Sequence, residues 1–333
     1  MRFLIVGLGS MGKRRIRNLR FLKAGTIIGF DPREDRRSES VSKYEIEAFS
    51  DFEKAMAQDP DVLIISTPPD MHHPYMKAAA TAGKHFFCEA SVVDDGLDEL
   101  IELAGRKNIV AAPSSTMRFN PSIRRIREFV TAGSIGKPLV LTYHSGQYLP
   151  DWHPYEDYRA FYVAKRATGA CREIVPFELS WLTWVFGDVT EISAYKDKLA
   201  DLEIDIDDVY QILLRFDGKM LGHLLVDVIA RDAFRSFKLL GSEGVITWEW
   251  REHGVRLFDA RTKEWTFFNE PEPSPEPGYV ASEGMYIDEM RHFLAAVEGK
   301  APYMYTLADD KRILETLYAA ERSAQSGQRI RLS

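Results

Sequence analysis

Phe3-Leu4-Ile5-Val6-Gly7-Leu8-Gly9-Ser10-Met11-Gly12 opens the chain, and Thr26-Ile27-Ile28-Gly29-Phe30-Asp31 follows it. Four apolar residues run into three glycines, a helix-compatible segment covers 13–22, and a second apolar strand ends on an acid. Strand, glycine turn, helix, strand, acid is the order a dinucleotide-binding βαβ unit requires. Gly7 permits the tight turn, Gly9 leaves the backbone open to a pyrophosphate, and Gly12 lets the helix pack on the strand. The free N–H groups of the helix start then face the phosphates, and Leu8, Ser10 and Met11 are expected to line the cofactor with the glycines. Asp31 stands roughly twenty residues beyond the glycines, where a carboxylate accepts hydrogen bonds from a ribose hydroxyl.

The chain has 333 residues, 45% hydrophobic and 28% charged, with a net charge of −7. That length accommodates two domains with separate cores. The composition is that of a soluble globular protein. The negative balance argues against nucleic acid as the main partner. Lys13, Arg14, Arg15, Arg17 and Arg20 form a local basic run. It reads as a solvated helix face, with a weak electrostatic aid to the pyrophosphate as the competing reading. Cys88 and Cys171 have no metal-ligand spacing and suggest no disulfide scaffold. No metal is expected. The first residues enter a strand at once, so no signal peptide is expected. No apolar run reaches membrane-spanning length. A cytoplasmic protein without a membrane partner is the expectation.

Strand and helix patterns alternate to about residue 117. Strands are expected at 61–67, 84–89 and 109–112, with helices at 71–82 and 97–104. Repeated βα units require crossovers and hence a doubly wound parallel sheet. Beyond that point a helix is expected at 120–132, with Pro121 suited to its first turn and Gly133 to its end. A strand at 139–145 and a helix at about 173–185 follow. The runs 209–216 and 220–229 flank Asp217-Gly218 as a hairpin with a primed turn. A second hairpin is expected around 241–244, and 265–268 reads as an edge strand. Pro271, Pro273, Pro275 and Pro277 mark an irregular loop. Helices at about 283–297 and 307–326 close the chain. The expected architecture is an α/β Rossmann domain over 1–118, then an α+β domain over 119–333 with a large, mainly antiparallel sheet.

Several blocks resemble the glucose–fructose oxidoreductase and myo-inositol dehydrogenase family. They are Gly7-Leu8-Gly9-Ser10-Met11-Gly12-Lys13-Arg14, Thr67-Pro68-Pro69-Asp70-Met71-His72, Ala82-Gly83-Lys84-His85-Phe86-Phe87-Cys88-Glu89 and Ile135-Gly136-Lys137-Pro138. Residues 148–159 resemble a branch associated with sugar and amino-sugar metabolism. The resemblance covers essentially the whole chain. It implies NAD(P)-linked oxidation of a hydroxyl on a sugar, amino sugar, nucleotide sugar or cyclitol, or reduction of the matching ketone. Such chemistry needs the nicotinamide close to the substrate carbon, a proton donor or acceptor at its oxygen, and polar groups that select the hydroxyl. The resemblance implies that Ser66, Thr67, Pro68 and Pro69 wall the nicotinamide side, with His72 and Glu89 nearby. Read alone, the proline pair is a strand-ending turn and His72 a surface residue at a helix start.

Two family signatures are broken. Glu-Lys-Pro after the fifth strand reads Glu89-Ala90-Ser91, and an alanine methyl cannot donate a proton. In the second, anchoring on Trp184 and Phe186-Gly187 puts Ile174 at the first acid, Phe177 at the histidine and Ser180 at the second acid. A one-residue slip moves Glu173 into the acid position. Three readings stay open. A dehydrogenase rebuilds its proton relay from Arg172, Glu173, Glu178 or Lys165, with Tyr158 and His153 in the loop before. A redox-neutral lyase, hydrolase or epimerase oxidises only transiently. A non-catalytic sensor or partner subunit binds nucleotide and sugar without turnover.

Substrate contacts are expected from Arg118, Asn120, Tyr148, Trp152, His153, Tyr158, Arg159 and Phe177, with Asp151 and Asp157 as further hydroxyl ligands. The competing reading makes Tyr148, Trp152 and Tyr155 a domain or subunit contact. Asp31 repels a 2′-phosphate, which favours NAD. Arg33 accommodates that phosphate if it turns inward, which keeps NADP as the alternative. The alternation in 209–229 fits a sheet with one face free to pair across subunits, so a homodimer or homotetramer is expected.

Overall fold

A computed structural model describes residues 1–152, 157–270 and 283–332. The chain divides into two compact units. One comprises Met1–Thr116 with Tyr286–Arg312, the other Met117–Met285 with Ile313–Ser333.

The first unit alternates β1 (Arg2–Val6), α1 (Ser10–Phe21), β2 (Thr26–Phe30), α2 (Glu34–Tyr44), β3 (Glu47–Phe49), α3 (Phe52–Met56), β4 (Val62–Ile65), α4 (His72–Thr81), β5 (His85–Cys88), α5 (Leu97–Lys107) and β6 (Ala111–Pro113). Its six strands are ordered β3-β2-β1-β4-β5-β6 and all pair in parallel. The order reverses between β1 and β4, and ligands of such sheets bind at that switch, beyond the carboxyl ends of the strands. β1 and β4 are apolar and almost wholly buried, as strands covered on both faces must be.

The second unit contains α6 (Pro121–Thr131), β7 (Pro138–Tyr148), α7 (Ala170–Phe186), β8 (Val189–Asp197), β9 (Val209–Phe216), β10 (Leu221–Asp227), β11 (Ile229–Gly241), β12 (Gly244–Glu249), β13 (Gly254–Asp259) and β14 (Glu264–Asn269). After α8 (Glu283–Val297) come α9 (Leu307–Ser326) and β15 (Ile330–Arg331). The nine-stranded sheet runs β14-β13-β12-β11-β7-β10-β9-β8-β15, antiparallel except where β7 meets β10. Strand β7 alternates, sending Leu141, Tyr143 and Ser145 inward. Tyr143, Trp181, Phe237 and Trp248 form its aromatic core, with Tyr143 and Trp181 edge to face at 5.1 Å.

Three differences from the sequence reading have physical causes. A single boundary at 118/119 does not assign residues 286–312 to the first unit. Met290 and Phe293 of α8 pack into the core built by Phe3, Ile5, Val62, Ile64 and Phe87. The connection between β9 and β10 is the three-residue turn Asp217–Lys219, with Gly218 and Lys219 both at φ 73°. The basic run on α1 is a solvated face only in part: Arg20 is exposed and Lys13 and Arg17 are half-buried, whereas two of its members are buried. Arg14 and Arg15 are 1% and 0% exposed: Glu89 and Glu289 supply counter-charges to Arg15, and the Tyr286 ring lies under the Arg14 guanidinium.

Candidate functional site

The glycine turn lies at the carboxyl end of β1. Gly7 has φ 92°, and its N–H donates to the Phe30 carbonyl at 2.8 Å. A Cβ on Gly12 would stand 1.9 Å from the Gly7 carbonyl oxygen, so helix and turn touch there. Gly9 differs: a Cβ would meet nothing closer than Arg36 Nη1 at 3.4 Å. The protein's own packing does not require glycine at 9. Gly9 also caps α1 without a side-chain hydrogen bond, leaving the helix start, with Ser10 and Met11 beside it, to its backbone donors.

Asp31 is 2% exposed. Its Oδ2 accepts the Leu8 N–H at 2.8 Å, and its Oδ1 accepts the Arg33 N–H at 2.9 Å. The Arg33 side chain turns away to Asp35. Arg36, in the first turn of α2, lies 3.7 Å from Asp31 Oδ2. It was not singled out from sequence.

On the other side of the switch, β4 ends at Ser66, Thr67, Pro68 and Pro69, and Pro69 begins the turn into α4. His72 is 1% exposed, with Nε2 bonded to the Thr67 carbonyl at 2.9 Å. That carbonyl accepts, so Nε2 carries the proton and Nδ1 presents a lone pair. His72 Nδ1 and Thr67 Oγ1 are buried and have no hydrogen-bond partner. Burial pushes the imidazole below its ordinary pKa, against the Thr67 carbonyl and the Glu89 charge. Glu89 is gripped by Arg15, from Nε at 2.7 Å and Nη2 at 2.9 Å, with Ser66 Oγ 3.4 Å away. Arg15 Nη2 also reaches Glu289 at 3.0 Å, and Glu289 accepts from Ser114 Oγ, the Ser115 N–H and Thr116 Oγ1. Ala90, half-buried, follows Glu89. The open backbone at Gly9, the uncapped helix start, and the buried Thr67 and His72 atoms without partners suit a bound dinucleotide.

In the second unit the two candidate carboxylates are in contrasting settings. Glu178 is wholly buried. It accepts from Tyr143 Oη at 2.8 Å, Trp181 Nε1 at 2.9 Å, Arg235 Nε at 3.0 Å and Ser145 Oγ at 3.1 Å. Burial and the adjacent Glu178 charge drive the Tyr143 phenol far above its usual pKa. Glu173, half-buried in the first turn of α7, lies 3.3 Å from Tyr162 Oη. Phe177 and Ser180 stand four and seven residues along, on the same face of the helix. Arg172 projects elsewhere: it pairs with Glu321 at 2.6 Å and lines a cleft of about 690 Å³ with Arg166, Lys196 and Asp207. Lys165 is exposed in the preceding loop.

Several nominated substrate residues are engaged locally. Arg118 is buried and donates twice to the Ser180 carbonyl. Asn120 caps α6 by accepting the Ser122 and Ile123 N–H groups. Tyr158 Oη donates to the Leu202 carbonyl at 2.9 Å, and Arg159 pairs with Asp157 and Glu203 at the surface. Asp151 lies in the turn after Tyr148. Tyr148 carries the Arg231 guanidinium 3.8 Å above its ring, and Trp152 Nε1 is buried without a partner. His153 and Tyr155 lie outside the described residues.

Residues 1–112 match the family model described as "Oxidoreductase family, NAD-binding Rossmann fold", and residues 123–247 match the GFO/IDH/MocA C-terminal domain. The chain belongs to the GFO/IDH/MocA oxidoreductase family. As a family member it binds NAD and is an NAD(P)-dependent dehydrogenase. It is 26% identical to myo-inositol 2-dehydrogenase of Thermotoga maritima, across 100% of this chain and 98% of that protein. It is 22% identical to levoglucosan dehydrogenase of Pseudarthrobacter phenanthrenivorans, across 64% of this chain and 62% of that protein. Levoglucosan dehydrogenase in complex with NADH has the same fold, with a TM-score of 0.86 at 18% identity, covering 100% of this chain and 99% of that one. Among the described residues no helix is long and apolar enough to cross a membrane.

Proposed function

We propose that this GFO/IDH/MocA member oxidises a hydroxyl of a sugar, amino sugar, nucleotide sugar or cyclitol, or reduces the matching ketone, with Glu173 handling the proton. The observation that carries the assignment is the contrast between the two acids. Glu178 already accepts four hydrogen bonds and is sealed in the core. Glu173 is half-buried at the start of α7, with a phenol beside it. A carboxylate there can take the proton of a substrate hydroxyl as the carbonyl forms, in place of the absent lysine and histidine. When bound, the nicotinamide accepts or returns the hydride. Gly9 and the α1 N–H groups hold the pyrophosphate, Asp31 a ribose hydroxyl, and Thr67 and His72 the groups of the nicotinamide half. The names of the dehydrogenase relatives support the substrate class. The test is cofactor reduction by the purified chain against a panel of sugars, amino sugars, nucleotide sugars and cyclitols. Turnover that disappears in Glu173→Gln supports the reading. Tight NADH binding with no turnover on any member of the panel favours the sensor, the reading suggested by Ala90 and Phe177.

We further propose that the chain assembles with a second copy through the outer face of its large sheet. Trp265, Phe258, Val245, Leu240, Val140 and Leu221 stand in register across six strands as one apolar row. Trp265 is 51% exposed and Leu221 44%. Contiguous apolar surface of this kind marks an interaction face.

A further inference from the structure

Glu173 is the acid on which the proposed chemistry turns, and a polar partner reaches it from outside α7. Tyr162 Oη stands 3.3 Å from Glu173 Oε1, with both side chains half-buried. An acid takes a substrate proton only when it is ionised and when an oxygen faces the hydroxyl. Phe177, one turn further along the same face of the helix, has no polar side-chain atom with which to hold the carboxylate. A phenol supplies what Phe177 does not. Its O–H donates to one carboxylate oxygen, favours the charged form and fixes the rotation of the group.

The loop before α7 is built to hold that phenol. Tyr162 begins a single 3₁₀ turn, Tyr162–Ala164, and Val163 within it is 1% exposed, rooting the turn in the core. The Tyr162 carbonyl accepts the Lys165 N–H at 3.1 Å and Thr168 Oγ1 at 2.7 Å. Thr168 is completely buried, and α7 starts at Ala170. Arg172 Nη1 donates to the Ala167 carbonyl at 2.6 Å, and the Glu173 N–H to the Gly169 carbonyl at 2.9 Å. The loop that carries the phenol and the helix turn that carries the acid are thus tied together by main-chain acceptors. A reacting group needs supports of this kind, themselves fixed by burial and hydrogen bonds.

We propose that Tyr162 is a positioning residue for the proton transfer: its phenol donates to Glu173, holds that carboxylate ionised and fixes its orientation toward the substrate hydroxyl. The inference rests on the reading of Glu173 as the proton acceptor.

The test compares the full-length wild type, Tyr162→Phe and Glu173→Gln, with circular dichroism and urea unfolding to check that each is folded. The first measurement needs neither cofactor nor substrate. Carboxyl signals of isotope-labelled glutamate are followed by NMR against pH, and the Glu173 signal is the one missing from Glu173→Gln. It should titrate about one pH unit higher in Tyr162→Phe than in wild type, the worth of one hydrogen bond to a charged group. The second measurement is the pH profile of kcat/KM for oxidation of a substrate from the sugar and cyclitol panel. Its acid limb should move up by the same amount in Tyr162→Phe. On the plateau kcat should fall about tenfold, with KM and NADH affinity within about threefold of wild type. A Glu173 titration unchanged in Tyr162→Phe overturns this proposal alone. So does a fall in kcat with an unmoved acid limb, the mark of a merely structural role. Wild-type turnover in a folded Glu173→Gln protein overturns the reading of Glu173 as the base, and the positioning role with it.

Discussion

Arg15 holds Glu89 through two parallel hydrogen bonds, 2.7 and 2.9 Å long, while its own side chain is completely buried. Burial would discharge the guanidinium, but Glu89 and Glu289 hold its pKa above the usual value. Glu89 carries the first position of the signature whose lysine is replaced by Ala90. The acid that the resemblance places there is thus fixed from behind by Arg15. Removing one partner of a buried ion pair leaves the other uncompensated. Arg15→Ala should therefore cost about 3–5 kcal/mol of folding stability, read from urea unfolding. It should also weaken NADH binding, because Glu89 loses its orientation. A variant within 1 kcal/mol of wild type, as judged against that range, would show the cluster to be peripheral.

The two glycines of the turn should separate fold from ligand. A Cβ at Gly12 meets backbone 1.9 Å away, so Gly12→Ala must force α1 off the turn. It should cost on the order of 3 kcal/mol, or prevent folding. At Gly9 the nearest neighbour is the end of an arginine side chain, and φ is −72°. Gly9→Ala should stay within about 1 kcal/mol of wild type, as a changed N-cap allows. Its NADH affinity should fall at least tenfold, or about 1.4 kcal/mol. Unchanged NADH binding in a folded Gly9→Ala protein would count against close approach of the pyrophosphate at this glycine.

His72 gives the fold a pH dependence with a defined sign. Burial lowers its pKa from the ordinary 6.5, so the folded state holds the neutral ring. The unfolded ring takes up a proton near its ordinary value and thereby favours unfolding. The contribution is complete above about pH 6.5 and is lost as pH falls toward the lower folded value. Urea midpoints measured between pH 8 and pH 5 should fall more steeply for wild type than for His72→Gln. Identical slopes would assign the acid sensitivity to other groups.

What the sequence made legible follows from where the information lies. The glycine turn, its strand and Asp31 are local, and α8 and α9 have the expected bounds because their apolar periodicity is clear. Helix α2 was not expected: only Ser40 and Tyr44 are buried, so the segment carries almost no periodic signal, and Arg36 was overlooked with it. Helix α7 starts three residues before the expected position, from the extended residue Gly169. Arg14 and Arg15 belong to a basic run that looks solvated from local sequence alone. Their setting depends on residues near 289, far along the chain. The same limit applies to Glu178, whose partners Tyr143, Ser145 and Arg235 come from other strands.

The sheet face gives a prediction about assembly. Leu221 and Leu240 are 44% and 38% exposed, and both are in register with Val140 between them. Charges placed there meet water in a single chain and apolar surface in an assembly. Leu221→Glu with Leu240→Glu should leave the unfolding midpoint of the isolated chain nearly unchanged and shift sedimentation to a smaller species. A wild-type chain that sediments as a monomer at micromolar concentration would rule out the interface.

The two glutamates provide the sharpest test of the proposed chemistry, because their substitution should fail in different ways. Glu178→Gln leaves Arg235 Nε facing a neutral amide in the core and turns an acceptor of four bonds into a mixed group. It should destabilise the fold by about 3–5 kcal/mol, in keeping with a broken buried pair. Any loss of activity should then follow the loss of folded protein. Glu173→Gln removes a charge at a half-buried helix start beside Tyr162. Its cost to stability should be about 0.3–1 kcal/mol, the worth of an acid in the first turn. Its turnover should drop by about a hundredfold or more with NADH affinity kept, as expected when a general base is deleted. Wild-type turnover in a folded Glu173→Gln protein would exclude this acid and return the search for the base to the loop that carries Lys165.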